Sequence, residues 1–464
     1  MKELVKHGPL LSALLADYER HYPKSRLAAD KAHQHQVNGG SHGVRLFQPY
    51  PFRVTSAAGP AVHDLDGHAI VDFWQGHFAN LLGHNPPIVT QVLADALSHG
   101  WGLQTGMTDE TQVAFADLLC QLTGAEQVRF TTSGTLATMY AIMLGRAFTG
   151  RSLVLKVRGG WHGGNPMALK GVSFGKEVFS AVESAGLIPC EGEAIVLTRY
   201  NDLNDLEQVF ARYGAELACF ILEPCMGRGG FMPASPEYLA LARELTCRYD
   251  VVLIFDEIIS GFRFCLGGLQ KLYGIQPDLS TFGKIIGGGM PVAAVAGRAE
   301  VMELCGHDSK KPVAFHGGTF SANPLAVLAG KTMLEYLRQH ADEVYPRLAK
   351  LGQQLRAGVE RVFAGRGILV RCTGYGNNLV PGSSLAMVHF PFDDKHTLNA
   401  PDDVWDPALC DVEMREKLLK LGMLVHNVNV VHGLGAISAS HTERELNLTL
   451  EAYDAFAQRL KAVV

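Results

Sequence analysis

The stretch Val251-Val252-Leu253-Ile254-Phe255-Asp256 decides how the chain folds. Five successive apolar residues leave no polar face, so as a strand the run is buried on both sides. Strands of that kind belong to mostly parallel sheets covered by helices. The flanking sequence supplies those helices. Just upstream lies a helical pattern over Pro236–Arg248, and before it a second continuous strand, Leu217–Leu222. Further back, a helix at Glu110–Leu122, a strand at Gln127–Thr131, a helix at Thr135–Ala147 and a strand at Leu153–Val157 repeat the alternation. The fold class is therefore α/β.

Beyond Pro324 a long helix leads into a smaller α+β unit. Its pieces are a helix near Val344–Phe363, strands near Gly367–Arg371 and Leu385–Phe390, and helices near Pro407–Leu421 and Thr442–Leu460. Residues 373–384 and 393–406 carry no assignment. Asp64-Leu65-Asp66-Gly67, between Val62 and Ile70-Val71, reads as a hairpin turn. The expected division is an N-terminal arm with part of the small unit (1–75), a large unit (76–325) and a C-terminal small unit (326–464).

Bulk properties narrow the function. The chain has 464 residues, 47% hydrophobic and 19% charged, an ordinary globular balance. Its net charge of −5, without a basic run, points away from nucleic acid and from a membrane surface. The longest apolar runs are strand-sized, too short to span a bilayer. Leu10-Leu11-Ser12-Ala13-Leu14-Leu15-Ala16 is followed by Asp17 and Glu19 with no small-residue cleavage site, so it reads as an amphipathic helix, not a signal peptide. Nine cysteines without a C-x-x-C pair argue against a disulfide framework or structural zinc, and a reduced, cytoplasmic setting is expected. His33, His35 and His42 lie in a polar, glycine-containing stretch that reads as a solvated loop, so no metal site is expected.

Open α/β sheets bind ligands at the carboxyl ends of their strands. Four features fall there. Ser133-Gly134-Thr135 opens a helix, where free N–H groups and the positive dipole end make a phosphate cup; the same residues also read as an ordinary N-cap. Asp256 ends an apolar strand and wants a partner, either a protonated heterocyclic nitrogen or a nearby cation such as Arg263. Trp161, in Gly159-Gly160-Trp161-His162-Gly163-Gly164, offers a flat face for a planar ring, or simply packs. Lys284, in Ser280-Thr281-Phe282-Gly283-Lys284-Ile285-Ile286-Gly287-Gly288-Gly289, is an amine beside a glycine run; it is a nucleophile if desolvated and a solvated tip if not. Neither G-x-x-x-x-G-K-[ST] nor a G-x-G-x-x-G at a strand–helix junction occurs. Together the four features describe one ligand: a planar ring with a cationic nitrogen, a phosphate and an aldehyde. That ligand is pyridoxal 5′-phosphate (PLP), with Lys284 to form the Schiff base and Asp256 to hold the ring nitrogen protonated.

These residues sit in stretches that resemble class III aminotransferases of PLP fold type I, in particular the glutamate-1-semialdehyde aminomutase branch. The matching stretches are Ser133-Gly134-Thr135, Trp161-His162-Gly163, Tyr200-Asn201-Asp202, Leu222-Glu223-Pro224, Asp256-Glu257-Ile258-Ile259-Ser260-Gly261-Phe262-Arg263, Gly283-Lys284 with its glycine run, and Gly318-Thr319-Phe320-Ser321. The resemblance implies a large domain on a seven-stranded-type sheet and a homodimer with its active sites at the subunit interface. It implies that Thr319 reaches the phosphate of the neighbouring subunit's cofactor, that Glu223 and Asn201 line the cofactor's hydroxyl side, and that Ile258 packs under the ring. Arg45 aligns with a carboxylate-binding arginine, and His77 with an aromatic position of the pocket. The chain departs from the family in having Leu136 where a glutamate is usual, in Trp161 for Tyr or Phe, and in 165–188, where the aminomutase's gating loop finds no match. His426–Ser440 contains no arginine, against the clamp some relatives use for a second carboxylate.

The function expected is a PLP-dependent transaminase that passes through pyridoxamine phosphate and moves an amino group from a carboxylate-bearing amino acid to a keto or aldehyde acceptor. An intramolecular aminomutase is the nearest alternative. A catalytically silent homologue serving as a scaffold is the other, set against the intact Lys284, Asp256 and Thr319.

Overall fold

The computed structural model describes residues 7–175 and 178–462. Seven strands build the central sheet: β1 (Gln127–Thr131), β2 (Leu153–Val157), β3 (Ile195–Thr198), β4 (Leu217–Leu222), β5 (Val252–Asp256), β6 (Leu279–Phe282) and β7 (Ala293–Gly297), in the order β1-β7-β6-β5-β4-β2-β3. All neighbours are parallel except β7, which is antiparallel to both β6 and β1.

The continuous apolar strands are explained by their two faces. Phe220, Leu222, Leu253 and Phe255 face one core with Phe210, Leu239 and Ala242. Cys219, Ile221, Val252 and Ile254 face another with Ala137, Ala141 and Leu144 of helix α1 (Gly134–Thr149). No position alternates with solvent because neither face sees it. The strand expected at Val251–Phe255 runs one residue later and includes Asp256.

Three elements of the sheet were not foreseen. Strand β7 is mostly alanine, a poor strand former, so its burial between β6 and β1 defines it. Strands β3 and β6 are only four residues long.

The expected smaller unit needs two corrections. Its first strand is Arg371–Thr373, not Gly367–Arg371, because Gly367 takes φ 75 and turns the chain. The helix expected at Pro407–Leu421 starts later and contains a π-helical turn at Met414–Leu419 that continues into Lys420–Leu424, while a short helix at Pro401–Trp405 falls in the 393–406 stretch that carries no assignment. The last helix, α2 (Glu443–Lys461), starts at a capping box in which Thr442 and Glu445 bond each other's backbone.

The N-terminal segment joins the C-terminal one. Strands Val54–Ala58, Ala61–Asp64 and Ala69–Asp72 form a sheet that Val428–Asn429 completes in parallel with the third strand. Leu10, Leu14 and Tyr18 of the first helix share a core with Leu355, Val388 and Phe456.

Candidate active site

Register places the two central residues. Asp256, the last residue of β5, is paired with Thr281 on β6, and Lys284 follows Thr281 by three residues in the turn that leaves β6. Parallel pairing of two central strands thus brings a carboxylate and an amine to the carboxyl end of the sheet. Lys284 takes φ 48, a left-handed conformation that L side chains adopt only under constraint.

Asp256 is almost fully buried, at 3% exposure. Its Oδ1 accepts from the Ile258 N–H (3.1 Å) and from Thr281 Oγ1 (3.1 Å). Its Oδ2 accepts from His162 Nδ1 at 2.7 Å. The side chain paired with Asp256 is therefore His162 and not Arg263, whose guanidinium goes to the carbonyls of Ile259 and Phe78 and to Ser384 Oγ. Burial drives the His162 imidazole below its usual range, so the ring is neutral and donates through Nδ1. Its Nε2 is buried with no hydrogen-bond partner among the described residues. The sequence carried His162 only as part of a glycine-rich loop, and no spacing signal tied it to Asp256.

Glycines hold the strand-end loops together by close approach. A Cβ on Gly134 would meet Ile258 at 3.1 Å, and one on Gly283 would meet Ile258 Cδ1 at 3.0 Å. Ile258 thus lies between the Ser133–Thr135 turn and the Lys284 turn. A Cβ on Gly163 would sit 2.6 Å from Thr135 Cα, so the loop carrying Trp161 and His162 is packed onto the start of α1. Thr138 Oγ1 bonds the His162 carbonyl at 2.5 Å and fixes the same contact one turn later.

Ser133 caps α1 through a bond from the Leu136 N–H to its Oγ at 3.3 Å. The N-cap reading therefore holds for its side chain. Among the described residues the Gly134 and Thr135 N–H groups have no acceptor, and they sit at the positive end of a 16-residue helix, the donor set a phosphate requires. Leu136 lies partly buried against the apolar cluster that contains Tyr140, Phe315 and Ile258, which accounts for an apolar residue there.

Glu223, at the end of β4, accepts from the Trp161 N–H (3.0 Å) and the Gly227 N–H (2.9 Å). Burial, then the charge of Asp256, push its carboxyl up to about 8. Trp161 keeps its indole 40% exposed. Burial pushes the Lys284 amine down to about 8 against the pull of Asp256 and Glu223.

Another lysine organises this loop. Lys156, on β2, is fully buried, and its Nζ donates to the carbonyls of Gly160 (3.0 Å), Ala168 (3.0 Å) and Lys170 (2.7 Å).

The remaining predicted residues stand outside this set of contacts. Asn201 spends its amide on the Asn399 carbonyl (3.0 Å) and the Ser235 N–H (2.8 Å), so it ties three loops together and, among the described residues, shows no hydrogen bond to Glu223. Thr319 is exposed next to Phe320, itself 62% exposed. Arg45 is exposed in the short turn Gly43–Arg45.

His77 is partly buried and lies in an unusual turn. Gln75, Gly76, His77 and Phe78 all have positive φ (44°, 61°, 60° and 70°), a complete left-handed turn. Each non-glycine residue in that conformation costs about 1–2 kcal/mol. A buried polar network holds it. Asp72 accepts from the Trp74 N–H (3.0 Å), the Gln75 N–H (2.9 Å), His84 Nε2 (2.7 Å) and Asn429 Nδ2 (2.7 Å), and Arg263 bonds the Phe78 carbonyl. The turn packs against the Lys284 turn.

A neutral planar donor, a carboxylate with a free lone pair, a depressed amine and an unpartnered helix start are the donor set for a pyridine ring bearing a phosphate and an aldehyde. Sheet and site together define a PLP-dependent enzyme of fold type I. Comparison with known proteins narrows the class. The family model for class III aminotransferases matches residues 45–376. The glutamate-1-semialdehyde 2,1-aminomutase of Thermoplasma acidophilum is 33% identical over 420 residues, 90% of this chain and 94% of that protein. Among solved structures, an omega-transaminase from Sphaerobacter thermophilus superposes with a TM-score of 0.83 at 31% identity, covering 94% of this chain and 97% of that one. A beta-phenylalanine aminotransferase from Variovorax paradoxus gives a TM-score of 0.84 at 28% identity, covering 97% of both chains. The chain belongs to the class III aminotransferases and uses PLP.

Proposed function

We propose that this enzyme is a transaminase acting on a carboxylate-bearing amino compound, with Lys284 as its catalytic base. The observation that carries the reading is the Asp256–Thr281 register, which sets a buried carboxylate and the Lys284 amine at the carboxyl end of the sheet. PLP, when bound, supplies an aldehyde to capture the amine and a ring to absorb the electrons of the adjacent carbon. Asp256 would hold the ring nitrogen with the lone pairs His162 leaves free. Ile258 and Trp161 would face the ring, Glu223 and Asn201 its hydroxyl side, and Ser133, Gly134 and Thr135 its phosphate. Lys284 Nζ takes the proton from the substrate carbon that bears the amine, and its depressed basicity keeps it competent near neutrality. Arg45 and His77 stand on the substrate side, where an arginine suits a carboxylate.

The same reading makes the chain a homodimer, with the exposed Thr319 reaching the cofactor phosphate of the neighbouring copy. It divides the chain at 75/76 and 325/326 and places it in the cytoplasm. Among the described residues no helix is long and apolar enough to cross a membrane.

The test is Lys284→Ala. Turnover should fall by about 100- to 10,000-fold while the protein still binds PLP; unchanged turnover would sink the reading. A donor screen following loss of the bound cofactor's visible band then identifies the amine.

An aminomutase is the second reading, favoured by the 33% identity to the Thermoplasma protein across 90% of this chain. Isomerisation of an amino aldehyde with no other amine or carbonyl present would decide for it.

A further inference from the structure

The His77 ring makes no hydrogen bond among the described residues. It stacks on Trp74 (4.9 Å between centroids) and meets His42 edge-on (4.8 Å). Trp74 in turn faces the Lys420 ammonium at 5.0 Å, with Phe47 on that ammonium's other side at 4.8 Å. The ring is thus clamped in position and keeps both nitrogens unspent. Four left-handed residues and a buried carboxylate network hold it there. Strain of that extent is kept only where surrounding structure enforces it, and it collects at ligand sites.

The surroundings have one sign. Burial depresses the imidazole to about 3, and the groups that add to the effect are His42, Lys284, Arg45 and His432, all bases. His432 already has its acid in Glu416, at 3.0 Å. Arg45 forms no ion pair among the described residues. A neutral imidazole donates a single hydrogen bond and adds no charge that would repel Lys284.

We propose that His77 is a specificity-determining residue: together with Arg45 it receives the carboxylate of the substrate, and so selects amino acids over simple amines. The proposal rests on the transaminase reading for its substrate and on the His77 turn for its geometry. Arg45 supplies the charge and His77 a fixed, directional donor. A carboxylate accepts from both and meets the Arg45 charge; an amide oxygen can accept but carries no charge for Arg45, and an alkyl group leaves the imidazole donor unpaired and desolvated, which is the basis of discrimination.

The experiment titrates the PLP holoenzyme with butanoate and with butanamide, following the visible absorbance of the bound cofactor. Wild type, His77→Phe, His77→Gly and His77→Asn are compared. Phe keeps a ring without a donor; Gly removes the side chain and suits φ 60. Asn keeps a donor and tolerates the left-handed backbone. The expected result is that Phe and Gly lose about tenfold in butanoate affinity, with butanamide the weaker ligand in wild type and changed less by either substitution, and Asn restoring most of the butanoate loss. Butanoate affinity within about twofold of wild type in both Phe and Gly overturns the proposal. The donor screen is separate: if no amine is converted but the butanoate pattern holds, the transaminase reading fails and the carboxylate site stands.

Discussion

Two regions meet at Lys284, and they are built differently. On the sheet side, Asp256, Ile258 and Gly283 are placed by parallel register and by glycines at which a Cβ would press on Ile258 at 3.0–3.1 Å. Only one non-glycine residue of that side's turn, Lys284, has a left-handed φ. On the arm side, Gln75–Phe78 turns left-handed through four residues and is held by one carboxylate, Asp72, with four donors. The sheet side is fixed by packing, which is diffuse. The arm side is fixed by a polar hub, which is concentrated. A hub can be removed with one substitution; a packed edge cannot.

The largest effect is expected from breaking the hub. Asp72→Ala strands four buried donors and should cost about 3 kcal/mol or more in urea unfolding. A loss under about 1 kcal/mol would show that the turn does not depend on it. The pH dependence has a definite sign. Burial alone would raise the Asp72 carboxyl, but the bond and charge of His84, with the other donors, hold it below the usual range. Its contribution is therefore complete above the unfolded value, near 4, and is lost as pH falls through the lower folded value. Wild type should lose stability more steeply than Asp72→Asn in that acid window.

A middle effect is expected on the packed side. Gly163→Ala forces a Cβ to 2.6 Å from Thr135 Cα at φ 87, and should cost about 2 kcal/mol. Because the contact presents Thr135, PLP affinity should fall with it, measured by dialysis and fluorescence. Loss of stability with unchanged affinity would separate the packing from the phosphate cup. The smallest effect is Ser133→Ala, an exposed N-cap worth about 1 kcal/mol. Its urea midpoint should fall by the corresponding amount, and an unchanged midpoint would show that the cap contributes nothing.

The same contrast explains what the sequence disclosed. Strands buried on both faces write themselves as apolar runs, so β2, β4 and β5 were legible, and with them Asp256 at a strand end. Lys284 followed from its glycines. The left-handed turn was invisible because Gln75, His77 and Phe78 have no residue-type signature for positive φ; Asp72 and Gly76 are weak hints at best. His162 was hidden because its partner lies 94 positions away. Strand β7 was hidden because alanines carry no period. The π-helical turn at Met414–Leu419 inserts one residue into a helical pattern and so defeats a 3.6-residue reading.

Lys156 has a consequence for when the Trp161 loop is whole. Three carbonyls converge on its Nζ, and only an ammonium has three hydrogens to give. A neutral amine has two, so one carbonyl of Gly160, Ala168 or Lys170 would face a lone pair. The loop is in effect ligated by a proton, as a metal ligates a finger. Burial brings the loss of that proton down to about 7, with Glu223 and Glu183 resisting and Arg228 assisting. The segment that joins Trp161 to Glu223 and His162 to Asp256 is thus pinned by one buried ammonium, through a side chain with no exposure to solvent.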